Sequence, residues 1–337
     1  MRRGWPAVLV AVLALLAQAP AIGQTVKLAT LAPAGSPWHK VLMDMGNEWD
    51  KGTSSRVKLR IYPGGIAGDD PDMVRKLRIN QLHAGALTVT GLGEIDPSIN
   101  LFVIPLFFDS FEEYSYVLKK MTPLLKEKME ERGFILLLWV HGGWVHLFSK
   151  EPVHSIGDLR SLKLFTWAGD ENMVQMWKMN GFRPVALAAT DILTGLQTGM
   201  IDALPTTPLA ALSMQWFSKT PYMLEPGFTP LPGGVVISKR SWEKISVADR
   251  QILLASAARA EERLSREIPR RDGEAIEEMR KRGLSVNRLE ADKAEELRIV
   301  ARQMADSMRG RGSKGFFEQI KRHRDQYRAR NPSGESP

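Results

Sequence analysis

Six histidines stand at positions 39, 83, 141, 146, 154 and 323, and the chain has no cysteine. A zinc site needs three or four nitrogen or sulfur ligands brought to one point. The closest pair, His141 and His146, is five apart on what reads as one strand, which puts the rings on opposite faces. Asp69-Asp70-Pro71-Asp72 has the acidic density of a calcium loop but lacks alternating oxygen ligands and a terminal glutamate. An aspartate capping a helix accounts for it better. Gly91-x-Gly93 is followed by neither a further helix glycine nor a P-loop lysine. There is no G-x-S-x-G elbow and, without cysteine, no Cys/His pair. These residues predict no metal, no cofactor and no enzyme. What remains is binding.

The elements that would position a binding site are clearest over 159–212. LKLFTW reads as a short strand, after which Asp170 caps a helix carrying Met173, Val174 and Trp177 and closed by Asn180-Gly181. RPVAL is the next strand. Thr190 is expected to cap a second helix with Ile192, Leu193 and Leu196, stopped by Gly199 in the left-handed region. MIDAL makes a third strand, and Thr207-Pro208 reads as cap and first position of another helix. Three strands separated by helices of about ten residues make a βαβαβ unit with a parallel sheet. Ligands of such sheets sit beyond the carboxyl ends of the strands, so 165–169 and 205–208 should line one wall of a site.

The N-terminal part repeats the pattern. VKLAT, VKLRIYPGG and ALTVT are strands; Ser36-Pro37 opens one intervening helix, with Trp38, Leu42, Met45 and Trp49 in a stripe, and Asp69-Asp70-Pro71 opens the next. Ser110-Phe111-Glu112-Glu113 matches a capping box. FILLLWV suits a strand buried on both faces, and Gly142-Gly143 is expected to bend it near a crossing between two lobes. A strand from Gly233 should return the chain. The segment 247–282 is helix-rich, and Pro269 is expected to kink or split it. Fold class is therefore α/β and bilobal, with two βαβ-type lobes joined by crossing strands.

The leader speaks to location. Arg2-Arg3 precede an apolar run of about ten residues from Ala7, and Ala21-Ile22-Gly23 offers small residues for cleavage, which predicts a signal peptide over 1–23 and periplasmic delivery. Lacking cysteine, the chain has no lipobox residue for lipid attachment. Formal charge is +8, concentrated near the C-terminus in RGRGSK and KRHRDQYRAR. With no adjoining nucleic-acid motif, this reads as a solvated tail and no nucleic-acid partner is expected.

Asp158-Leu159, Leu162-Lys163, Asp191, Leu196-Gln197-Thr198-Gly199 and Ile201-Asp202 together resemble the motif of the extracytoplasmic solute-binding subunits of tripartite ATP-independent periplasmic (TRAP) transporters, the dicarboxylate-binding-protein family. The resemblance runs from about Val26 to about Phe317. It implies a bilobal fold like that of a periplasmic binding protein with a long helix bracing both lobes, an interdomain cleft that closes on a small solute, and membrane permease subunits as partners. The expected division is lobe one over 24–143 with 233–255, lobe two with bracing helices over 144–232 with 256–310, and a basic, partly disordered tail over 311–337.

The family motif places an arginine two residues after its LK, where LRSLKLF has Phe165; a looser match puts Trp144 at a second arginine position. The Glu-Asn before Pro-Leu becomes Thr206-Thr207. An arginine fork makes two charge-assisted bonds that offset a carboxylate's lost hydration, and rings do not. The expected solute is therefore apolar or aromatic, held by Trp144, Phe165 and Trp167, with Thr88, Thr206 and Thr207 orienting one polar group. Two alternatives stand beside it. The rings fill lobe-two core and a non-motif cation binds a small organic acid, Arg183 and Lys163 being the nearest though poorly placed candidates. Or the chain is a ligand sensor or scaffold without a transport role.

Overall fold

The computed structural model describes residues 23–308 and 315–331, so the expected signal peptide lies outside the described residues but for Gly23. Lobe one is built from β1 (Gln24–Thr30), α1 (Pro37–Gly52), β2 (Val57–Tyr62), α2 (Asp70–Arg78), β3 (Ala84–Thr88), α3 (Val89–Ile95) and α4 (Phe111–Glu131). Ser36 caps α1 by accepting from the His39 amide at 3.3 Å, and Val41, Leu42, Met45 and Trp49 form its buried face. β2 and β3 flank β1, all parallel. The chain then crosses in β4 (Phe134–Ser149). Lobe two follows with α5 (Ile156–Ser161), β5 (Lys163–Trp167), α6 (Glu171–Met179), β6 (Arg183–Leu187), α7 (Ile192–Thr198), β7 (Ala203–Thr206) and α8 (Pro208–Ser213). Here β6 and β7 flank β5, again parallel, so each lobe carries the same first-strand-central βαβαβ unit.

The return crossing is β8 (Tyr222–Ser238), antiparallel to β4 along nearly its whole length. It begins well before Gly233, where the sequence suggested a start, because extended residues continue upstream through Pro226, Pro230 and Pro232. Those prolines have no N–H to donate to a ladder. The pairing slips between Leu136 and Leu138, between His141 and Trp144 and between Val145 and Leu147, so two of these three irregularities fall where the strands pass between the lobes. One sheet results, ordered β2-β1-β3-β8-β4-β7-β5-β6.

After α9 (Lys239–Trp242) comes α10 (Val247–Lys281), a single helix of 35 residues and so about 50 Å long. Pro269 does not split it: Leu264, Ile268, Asp272, Ala275 and Met279 keep one face buried on both sides of the proline, and that packing outweighs one missing backbone bond. α10 packs on the lobe-one core beside Val41 and Trp49 and ends, at Met279, in the lobe-two core with Phe148 and Phe165. It therefore braces both. β9 (Ser285–Arg288) joins β8 in parallel, and α11 (Ala291–Met308) covers the face of lobe two that α10 leaves open.

Two further expectations change. Thr190 does not cap α7: it lies within a 3-10 turn over Ala189–Asp191, and Asp191 takes the cap position without a side-chain bond. The basic segment is not a free tail over its described part. Phe316–Arg330 forms α12, which buries Phe316, Phe317 and Ile320 and pairs Arg328 with the buried Glu113 of α4 at 2.5 Å. The apolar triplet at i, i+1 and i+4 outweighs the charge around it. The last residues of the expected tail, 332–337, lie outside the described residues.

Candidate functional site

Two cavities, each about 130 Å³, open between the lobes at the carboxyl ends of the strands. The first, the cleft cavity, takes Thr30, Leu31, Trp38 and Thr88 from lobe one and Phe165, Trp167, Thr206, Thr207 and Trp216 from lobe two. The second, the side cavity, lies under α11 and is lined by Leu297, Val300, Ala301 and Met304 of that helix, facing Trp177 and Phe182. Phe165, Trp167, Pro205 and Leu231 border both.

Strand alternation explains the shared wall. Phe165 and Trp167 sit two apart on β5 and so point the same way, packing edge to face at 5.2 Å. Phe165 is 1% exposed, yet its ring reaches both cavities. Asp170, which accepts from the Met173 amide at 3.0 Å to cap α6, is the one charged side chain among the described residues lining either cavity. No lysine, arginine or histidine lines them among the described residues. The two cations nearest in sequence are engaged elsewhere. Lys163, at the amino end of β5, bonds the Gly199 carbonyl and lies 3.7 Å from Asp202. Arg183, at the amino end of β6, donates to the Ser161 carbonyl at 3.1 Å.

The threonines differ in what they offer. Thr88 Oγ1 donates to Asp70 Oδ2 and accepts from the Thr90 amide, so its hydroxyl is largely committed. Burial pushes Asp70 up to about 7, with the Thr88 bond partly offsetting this and Asp69 adding to it. Thr207 is fully buried at the cap position of α8, but its side chain makes no capping bond and Oγ1 has no partner among the described residues. It is one polar group of the cleft lining left unspent among the described residues. Beside it, Asp272 of α10 accepts from the Leu209 amide at 3.0 Å and the Trp144 amide at 3.2 Å, which ties the brace helix to α8 and to the crossing strand. Burial pushes this carboxyl up to about 7, those two amides offsetting part of the rise. On the other rim, Asp69 of lobe one accepts from the Ala189 amide of lobe two at 2.7 Å, a hydrogen bond across the gap.

Of the six residues selected from sequence, Phe165, Trp167, Thr88, Thr206 and Thr207 come together around the cleft cavity. Trp144 does not join them: it lines neither cavity, and its indole lies against Gly227. The register slip after His141, with Gly143 at φ 111°, resets the alternation of β4 and turns Trp144 away. Trp38 was missed, although it follows the loop at the carboxyl end of β1 and the strand-end rule covers it. Trp216 follows the left-handed Gln215, and no sequence pattern announced it. Nor did any pattern place α11 over a second cavity.

The family model described as bacterial extracellular solute-binding protein, family 7, also called DctP, matches residues 28–310. Among curated relatives, the 2,3-diketo-L-gulonate-binding periplasmic protein YiaO of Escherichia coli K12 is 26% identical over 239 residues, 69% of this chain and 72% of that protein. A solute-binding protein of Chromohalobacter salexigens is 26% identical over 227 residues, 67% of each chain. Among solved structures, the Bordetella pertussis extracytoplasmic solute receptor DctP7, which binds pyroglutamic acid, superposes with a TM-score of 0.83 at 19% identity, covering 90% of this chain and all of that one. A TRAP periplasmic solute-binding protein of Haemophilus influenzae with bound L-gulonate gives 0.83 at 19%, covering 89% and 99%. These are binding proteins rather than enzymes, and they share the bilobal arrangement of two βαβαβ units around a gap. The chain belongs to family 7 of the bacterial extracellular solute-binding proteins, the DctP family of TRAP solute receptors.

Proposed function

We propose that this TRAP receptor takes up an apolar or aromatic solute carrying one polar group, exported to the periplasm by its leader and closing by hinge motion before delivery to membrane permease subunits. The observation that carries the reading is the lining of the cleft: ring faces, aliphatic side chains and hydroxyls, with no cation among the described residues. A carboxylate buried there would lose hydration worth several kcal/mol with no guanidinium to replace it. Trp38, Phe165, Trp167 and Trp216 supply flat apolar area, and the unpaired Thr207 hydroxyl supplies one directional bond. The loosely paired crossing of β4 and β8 is the hinge this reading uses.

A second reading, in which the solute is a small organic acid, is favoured by what the similar structures hold, pyroglutamic acid and L-gulonate. It would rest on Thr206, Thr207 and backbone amides in place of a cation. Native mass spectrometry of protein purified without denaturation separates the two. The apolar reading expects a hydrophobic compound to co-purify, and a stoichiometric sugar acid or dicarboxylate would overturn it. As a companion test, Phe165→Arg should weaken binding of the hydrophobe at least tenfold; unchanged affinity would place Phe165 outside the binding surface.

A further inference from the structure

Resting on the apolar reading of the cleft, we propose that the solute has two ring-sized apolar parts, one in the cleft cavity and the other passed between the lobes into the side cavity under α11. A dry cavity of about 150 Å³ lined by aliphatic and aromatic side chains holds one benzene. Each cavity here, at about 130 Å³, therefore takes about one ring, and Phe165, Trp167, Pro205 and Leu231 form the wall that they share. The polar end belongs in the cleft cavity, beside Thr206 and Thr207. The far end meets side chains of a different kind: Val300, Ala301 and Met304 on one side, and Trp177 packed edge to face on Phe182 at 4.9 Å on the other.

Two features separate this space from an ordinary packing fault. Ala301 is 4% exposed and presents a methyl group where a larger side chain would close the void. At the rim, Leu106 is held at φ 54°, in the left-handed region that β-carbon sterics disfavour, by donating its amide to the Phe228 carbonyl at 2.6 Å. Leu106 and Phe228 both line the side cavity. Backbone strain of this kind persists where the surroundings over-determine it, and it clusters at ligand sites.

The test compares phenol, one ring with a hydroxyl, and 4-benzylphenol, two rings joined by one carbon, by isothermal titration calorimetry on the full mature chain. The two-chamber site predicts that 4-benzylphenol binds at least thirtyfold more tightly than phenol. In Ala301→Phe that advantage should fall below threefold while phenol affinity is unchanged; Ala301→Leu, a smaller plug, carries the same test if the phenylalanine variant does not fold. A two-ring advantage that survives the plug, or one below threefold in the unmodified protein, overturns the second chamber alone. If neither phenol compound binds and L-gulonate does, the apolar reading of the cleft falls and the second chamber falls with it.

Discussion

Thr207→Val should move stability and affinity in opposite directions. The Thr207 hydroxyl is fully buried and without a partner, and such a group costs about 1–3 kcal/mol relative to its solvated state. Valine has nearly the same shape, suits the extended backbone at φ −86° and ψ 150°, and removes no capping bond because none is made. Taking the low end, since the hydroxyl borders a cavity, the ligand-free protein should gain about 1 kcal/mol. In a chain of this size that is roughly 2 °C in Tm. If the hydroxyl orients the solute, the variant loses a hydrogen bond worth about 0.5–1.5 kcal/mol, which is roughly a two- to twelvefold weaker Kd. The assay is thermal unfolding of protein stripped of ligand by unfolding and refolding, beside calorimetric titration with phenol. A variant that melts lower, or that binds as tightly as the parent, refutes the assignment of Thr207 as the polar contact.

Two further outcomes follow from the buried groups. Asp272 is pushed up to about 7 by burial, so between 3.8 and about 7 the folded protein holds a proton that the unfolded chain has released. Its contribution to stability is full below 3.8 and is lost as pH rises through about 7, at about 1.4 kcal/mol per pH unit. In urea titrations at pH 5 and pH 7.5, the stability of Asp272→Asn relative to the parent should rise by about 3 kcal/mol at the higher pH; parallel pH profiles would show that the carboxyl is not held protonated. Phe316→Ala should cost about 3–4 kcal/mol in the same assay, because the ring is 1% exposed and packs edge-on against Phe102 at 6.4 Å. No change would mean that α12 contributes nothing to the folded lobe.

Much of the architecture was local in origin and therefore readable. Asp170, Ser36 and Ser110 cap the helices they were expected to cap, RPVAL is β6 residue for residue, and Gly199 ends α7 at φ 72°. Both βαβαβ units follow from these signals, because strand period, cap and stop are set within a few residues of chain. The strand-end rule then selected Phe165, Trp167, Thr206 and Thr207, which do surround a cavity.

The remainder needed residues far apart in sequence. Trp144 was misplaced because a register slip between two crossing strands, not the alternation of one, decides where it points. That α10 runs unsplit through Pro269 rests on burial that comes from both lobes. The basic composition after 310 hid a helix that pairs with α4 through residues 215 apart in sequence. Most of all, nothing local tells that α11 stands off the sheet and leaves a space beside Phe165. Composition and periodicity determined which faces are apolar; how closely those faces meet, and so where a solute finds room, was decided by the tertiary packing that brings them together.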